Sequence, residues 1–163
     1  MGFIINSRKF SLQFYTYYIY MIMTPSIIFS ICNSLVLPQW LLMTVAPKWK
    51  WTHKLVDSKI IPLILSLVYI IYFLQGMGAE GDFGSLAGVM KLFTVDVLVL
   101  AGWIHYLAFD LLIGSWVLKR SQELGITHWW IIPCLLLCFM AGPAGFLLFW
   151  VISRFYRGRD GEI

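Results

Sequence analysis

The sequence predicts an all-α polytopic membrane protein, a four-helix transmembrane bundle with an interfacial N-terminal lead-in. Three observations carry that expectation. Of 163 residues, 60% are hydrophobic and only 12% charged, whereas soluble domains run at about half apolar and about a quarter charged. The few charges gather in connectors between apolar runs, each near the ~20 residues that cross roughly 30 Å of hydrocarbon. Backbone exposed to lipid must also satisfy its own hydrogen bonds, which selects helices. The same composition excludes a soluble fold, a disordered chain and a disulfide scaffold, for which three cysteines are too few. The net charge of +4 comes from connector cations that meet membrane lipid headgroups, so no nucleic-acid partner is expected.

Residues 1–24 form the lead-in, with Tyr15, Tyr17, Tyr18 and Tyr20 suited to an interface. A fifth span is the alternative for this stretch, and Met23 is a second candidate start beside Met1. Nothing in it resembles a cleavable signal or transit peptide. The first span is residues 25–46, stopped by Pro47, which cannot continue a helix. The second is 60–77, with Pro62 in its first turn, where a missing N–H costs least. The third, 92–118, is interrupted by Asp96, His105 and Asp110. The fourth, 131–152, follows Trp129 and Trp130 at one interface and precedes Arg154 and Arg157 at the other. The domains read as lead-in (1–24), four-span domain (25–155) and basic tail (156–163). Lys and Arg divide six against six between the two sides, or six against four without the lead-in, which favours the first and third connectors as cytoplasmic.

Ionisable groups inside a span cost about 2.5 to 3.5 kcal/mol near the centre, so each needs a partner or a purpose. At 100° and about 1.5 Å per residue, Asp96, Trp103 and Asp110 share one face, with the carboxylates roughly 21 Å apart. His105 lies about 140° around from Asp110, so any pairing of the two must involve another helix. Each has a plain structural role open to it. Asp96 lies one turn inside the span and can reach headgroups or Lys91, Asp110 can fix packing through a hydroxyl or amide on a neighbouring helix, and His105 can satisfy itself with one hydroxyl or carbonyl. Asn33 is either helix–helix glue or a clamp for Asp110 or a substrate oxygen. The run Gly142-Pro143-Ala144-Gly145 removes a backbone hydrogen bond, frees the Phe139 carbonyl and invites a kink that borders a cavity or merely packs. Trp103 and Trp116 belong to the interfacial belt or flank an apolar ligand. Cys32, Cys134 and Cys138 all fall inside spans, which disfavours thiol redox chemistry. His53 and His128 sit in connectors without ligand spacing, so no metal site and no cofactor is expected.

These residues suggest a family. Asn33-x3-Leu37-Pro38-x-Trp40 followed by Ala46-Pro47, then Asp96-x6-Trp103-x-His105-x4-Asp110, then Pro143-x-Gly145 before a basic tail, resembles the ABA4-like membrane proteins over about residues 25–155. The resemblance implies a small integral membrane protein acting on carotenoids, in plants linked to isomerising an epoxy-xanthophyll to allenic neoxanthin. Such a reaction asks for an acid at the epoxide oxygen and a base at the adjacent polyene carbon in a dry site. The candidates for that acid and base are Asp110, His105 and Asp96, with Asn33, Trp103, Trp116, Pro143 and Gly145 as substrate-binding residues. The two carboxylates can also mark the ends of a slot for a long ligand lying along the helix. The lack of a transit peptide and the short connector PKWKWTHK read as bacterial, in the cytoplasmic (inner) membrane, where an isoprenoid or other apolar ligand is implied more firmly than neoxanthin. Three functions stay open: a carotenoid or terpenoid isomerase, a non-catalytic lipid- or pigment-binding subunit of a membrane complex, and a small transporter or proton pathway. A membrane protein partner and a homo-oligomer are both compatible with Gly102, Gly114 and the glycines of the fourth span.

Overall fold

The computed structural model describes residues 24–157, so the lead-in up to residue 23 and the tail from residue 158 lie outside the described residues. Among the described residues there is no strand, and six helices follow in order: α1 Pro25–Val45, α2 Lys50–Ser58, α3 Ile60–Gln75, α4 Leu86–Leu92, α5 Asp96–Glu123 and α6 His128–Arg157. Four helical segments are long and apolar enough to cross a membrane: Pro25–Val45, Lys50–Gln75, Asp96–Glu123 and His128–Tyr156. The chain is an all-α membrane protein.

One expected boundary holds, at Ile60, and one shifts, at the start of the third span, each for an identifiable reason. A helix running from Lys50 into the second span is broken at Lys59, which turns left-handed (φ 53°, ψ 22°), because the Pro62 ring would collide with the Ser58 carbonyl four residues back. The piece so detached, α2, buries Thr52 and Val56 and leaves Trp51 outside. It is tied to the end of α1 where Thr52 Oγ1 donates to the Ala46 carbonyl at 2.7 Å. The third span begins at Asp96 rather than 92 and runs to Glu123. The residues before it form α4, which Ser85 caps by accepting the Gly88 N–H at 3.0 Å. Asp82 Oδ1 orders the turn ahead of it, accepting the N–H groups of Gly84 and Ser85 at 2.8 and 2.9 Å.

Helix α5 is the axis of the bundle. It is the most buried of the four long segments, and α1, α3 and α6 all pack on it, closing over Leu100, Ile104, Leu107, Leu111 and Val117. Helix α1 runs parallel to it. Trp103 meets Asn33 near their starts, and Gln122 Nε2 donates to the Pro47 carbonyl at 3.2 Å beyond the end of α1. Helix α3 runs the other way, with Tyr69 beside His105 and Asp57, just before it, paired with Lys119 at 2.7 Å. Helix α6 starts against the end of α1, where His128 Nε2 lies 2.8 Å from the Thr44 carbonyl.

Helix α6 is not continuous. Ala141 leaves helical geometry (φ −159°, ψ 80°), two residues before a proline that cannot bond the Phe139 carbonyl, as the sequence led us to expect. The break is sharp. A Cβ placed on Gly145 would overlap the Cys134 carbonyl oxygen and the Cys138 nitrogen, atoms that a straight helix would hold roughly 16 and 10 Å away along its axis. The two halves of α6 are therefore folded against each other.

Candidate functional site

Asp110 is the one buried acidic or basic side chain (Asp, Glu, Lys, Arg or His) among the described residues, 8% exposed on the inner face of α5. It faces the break in α6. A Cβ on Gly142 would overlap its Oδ1, and the Gly142 backbone N–H and the Tyr106 hydroxyl are the polar groups beside its carboxyl. Oδ2 is buried with no hydrogen-bond partner among the described residues. Tyr106, one turn earlier on α5, donates to the Met140 carbonyl at 2.6 Å and reaches the Phe139 carbonyl at 3.2 Å. Those are the backbone groups left open by the break and by Pro143, so a single phenol satisfies the backbone and borders the carboxyl.

Asp96 and Trp103 lie further along the same side of α5, as the helical arithmetic expects. Asp96 is exposed in the first turn. With Phe29, Leu100 and Trp103 it lines a hollow of about 350 Å³ between the starts of α1 and α5. Asn33 takes the helix–helix role: its Oδ1 accepts the Trp103 indole N–H at 3.0 Å, joining α1 to α5, and does not reach Asp110. Trp103 also rests against Phe29 and Tyr106, with ring centroids 5.4 and 5.3 Å apart. Asp96, Trp103, Tyr106 and Asp110 thus form one continuous line.

His105 is elsewhere. It is exposed on the flank of α5 towards α3, stacked on Phe109 at 4.6 Å and tilted against Tyr69 at 5.5 Å, and the structure does not bring it to either carboxylate. Trp116 packs on Phe146 and Phe149, with centroids 5.7 and 5.5 Å away, and so lines the second half of α6. Pro143 and Gly145 are placed by the break itself. Between α1 and the first half of α6 runs an apolar cleft of about 600 Å³, lined by Leu37, Trp40, Leu41, Leu135, Leu136 and Phe139. Phe139 joins this cleft to Tyr106 and hence to Asp110. Among the described residues no three His, Cys, Asp or Glu side chains gather as a metal ion requires.

Two features escape a reading of the sequence. Tyr106 could have been found from its i, i+4 spacing to Asp110 on one helix face. Gln39, 1% exposed, donates through Nε2 to Ser115 Oγ at 2.9 Å while its Oε1 has no partner among the described residues; an amide inside an apolar span is the signal it offered.

The family profile ABA4-like (ABA DEFICIENT 4-like) matches residues 27–149. The chain is 30% identical over 142 residues to the Arabidopsis thaliana protein ABA DEFICIENT 4, chloroplastic, a match covering 81% of this chain and 64% of that relative's length. No solved structure matches. The profile spans α1, α3, α5 and both halves of α6, including the Asp110 site and the break that roofs it, and the chain belongs to the ABA4-like family.

Proposed function

We propose that this protein takes up an apolar polyene or other isoprenoid from the membrane and isomerises it by acid–base chemistry centred on Asp110. The observation that carries the reading is the buried, half-unsatisfied carboxyl of Asp110 at the break in α6. An unpaired charge in such a place is costly, and a carboxyl that holds its proton until a substrate oxygen arrives suits it. On an epoxide next to a polyene, Asp110 protonates the epoxide oxygen and the C–O bond breaks. The carboxylate so formed then takes the proton from the adjacent polyene carbon, and that C–H pair becomes the new double bond. Atoms balance without an oxidant. Membership of the family supports the substrate class, and the lipid-facing cleft beside Phe139 supplies an entrance of matching polarity.

Asp96 and His105 take different parts in this reading. Asp96, roughly 21 Å away along the helix, holds the polar end of a long ligand that passes Asn33 and Trp103. His105, stacked on the flank of α5, lines the lipid side. The setting we propose is a bacterial cytoplasmic membrane.

The test is to purify the protein in mild detergent from a host that makes a range of carotenoids, and to analyse bound and total pigment. The expected result is a bound or altered polyene whose alteration is lost in Asp110→Asn and retained in His105→Ala. A pigment bound unaltered in wild type and Asp110→Asn alike would make the protein a non-catalytic carrier. A colourless protein with unchanged host pigments would overturn the polyene reading.

A further inference from the structure

Length and composition alone would carry the last apolar segment across the membrane and set Trp129 and Arg154 at opposite interfaces. The packing gives it another course. Its first half starts beside Thr44, at the end of α1, and climbs along α5 in the opposite sense until Met140 meets Tyr106. After the break Gly142 lies on Asp110, and Phe146 and Phe149 lie on Trp116, six residues further towards the C-terminal end of α5. The second half therefore runs parallel to α5, back towards the end from which the segment set out. Gly145, pressed on the Cys134 and Cys138 backbone, closes the two halves. Each half, about 13 to 16 residues, measures roughly 20 to 24 Å; α3 is no longer than the second half, so it is the fold-back, not the length, that returns the chain to the side it entered from. Non-helical backbone at membrane depth is tolerated where protein surrounds it, and here Tyr106 takes the open carbonyls.

We infer that the last segment is a re-entrant helical hairpin that enters and leaves from one side, seating one strongly basic end of the bundle on the anionic headgroups of a single leaflet. That end collects the connector lysines from Lys48 to Lys59, then Lys119 and Arg120, and with the returning half also Arg154, against Asp57 and Glu123. The other end has Lys91 against Glu80, Asp82 and Asp96 among the described residues. An even split of cations along the sequence thus becomes a steep one in space, of the sign that faces the cytoplasm. Aromatic groups sit among these cations as they do at headgroup depth: Lys54 lies 5.1 Å from the Trp51 ring centre and Arg154 4.7 Å from that of Trp150, while Trp129 and Trp130 are exposed at the start of the hairpin.

The test uses single exposed cysteines, Ser58→Cys, Glu80→Cys and Arg154→Cys, in full-length protein expressed in bacteria and labelled with a membrane-impermeant maleimide. Cys32, Cys134 and Cys138 are buried and give the background from the unsubstituted chain. Labelling of Glu80→Cys in intact cells, with Ser58→Cys and Arg154→Cys labelled only after permeabilisation, is the expected pattern. Arg154→Cys labelled together with Glu80→Cys would mean that the segment crosses, and would overturn the hairpin. Ser58→Cys and Arg154→Cys both labelled from outside, with Glu80→Cys protected, would overturn the leaflet assignment. Should a substitution prevent insertion, a C-terminal reporter active only in the cytoplasm, fused to the unsubstituted chain, gives the same reading: activity is expected, and its absence overturns the proposal.

Discussion

Replacing Gly145 by alanine adds one methyl group where the backbones of the two halves of α6 touch. The new Cβ falls on the Cys134 carbonyl oxygen and the Cys138 nitrogen, backbone atoms that cannot swing aside as the end of a side chain can. The halves of α6 must separate, loosening Phe146 and Phe149 from Trp116. Overpacking a filled core costs about 1 to 3 kcal/mol, and a backbone collision belongs at the upper end. At about 2 to 4 °C per kcal/mol for a chain of this size, the unfolding midpoint should fall by roughly 5 to 10 °C. Gly102→Ala is the control, because there the added Cβ meets a Phe93 ring carbon at 3.2 Å, a side chain free to shift; a change within about 0.5 kcal/mol is expected. The buried thiols of Cys32, Cys134 and Cys138 supply the assay, since a thiol-reactive dye in detergent reports their exposure on heating. Equal midpoints for Gly145→Ala and wild type would refute the folded-back geometry of α6.

Three further outcomes are expected. Asp110→Asn should leave the unfolding midpoint within about 1 kcal/mol of wild type, because the amide keeps an oxygen for the Gly142 N–H, while abolishing pigment conversion; a large loss of stability would show that the carboxyl is a packing element. Tyr106→Phe should cost about 1 kcal/mol by stranding the Met140 carbonyl, with hydrogen exchange accelerated at residues 139–143; unchanged exchange there would show that the phenol does not hold the break. Trp103→Phe and Asn33→Leu should each destabilise by about 0.6 kcal/mol and couple in a double-mutant cycle, as a hydrogen bond between them requires; additive effects would remove that bond from the account.

What the sequence made legible follows from what polarity can encode. The four long apolar segments and the start of α1 at Pro25 were readable because charge is excluded from hydrocarbon over about 20 residues. The common side of Asp96, Trp103 and Asp110 was readable because the period of a helix is fixed. The division at Lys59 was accessible from Pro62 and one steric rule. The partners on other helices were not: which of several helices faces Asn33 or Asp110 depends on packing that no local pattern records, so Asn33 found Trp103 and His105 found Tyr69. The course of the last segment was hidden for a related reason, since an apolar run of this length reads the same whether it crosses or turns back.

The break in α6 also explains why the site and the topology belong together. A proline alone bends a helix by a few tens of degrees, far less than is needed to bring Gly145 onto Cys134. The remainder must come from contacts that reward closure: Tyr106 on the freed carbonyls, the Trp116 ring against Phe146 and Phe149, and a glycine where the halves touch. Gly142 has a separate duty, leaving room for the Asp110 carboxyl against the backbone of the turn. A straight helix would have buried its amides in its own ladder and offered Asp110 only apolar side chains. The turn instead brings backbone polar groups to mid-membrane depth, where a carboxyl can be held partly bonded with one oxygen left over for a ligand. The same bend that reverses the chain thus makes the polar niche, and a variant that relaxes one should alter the other.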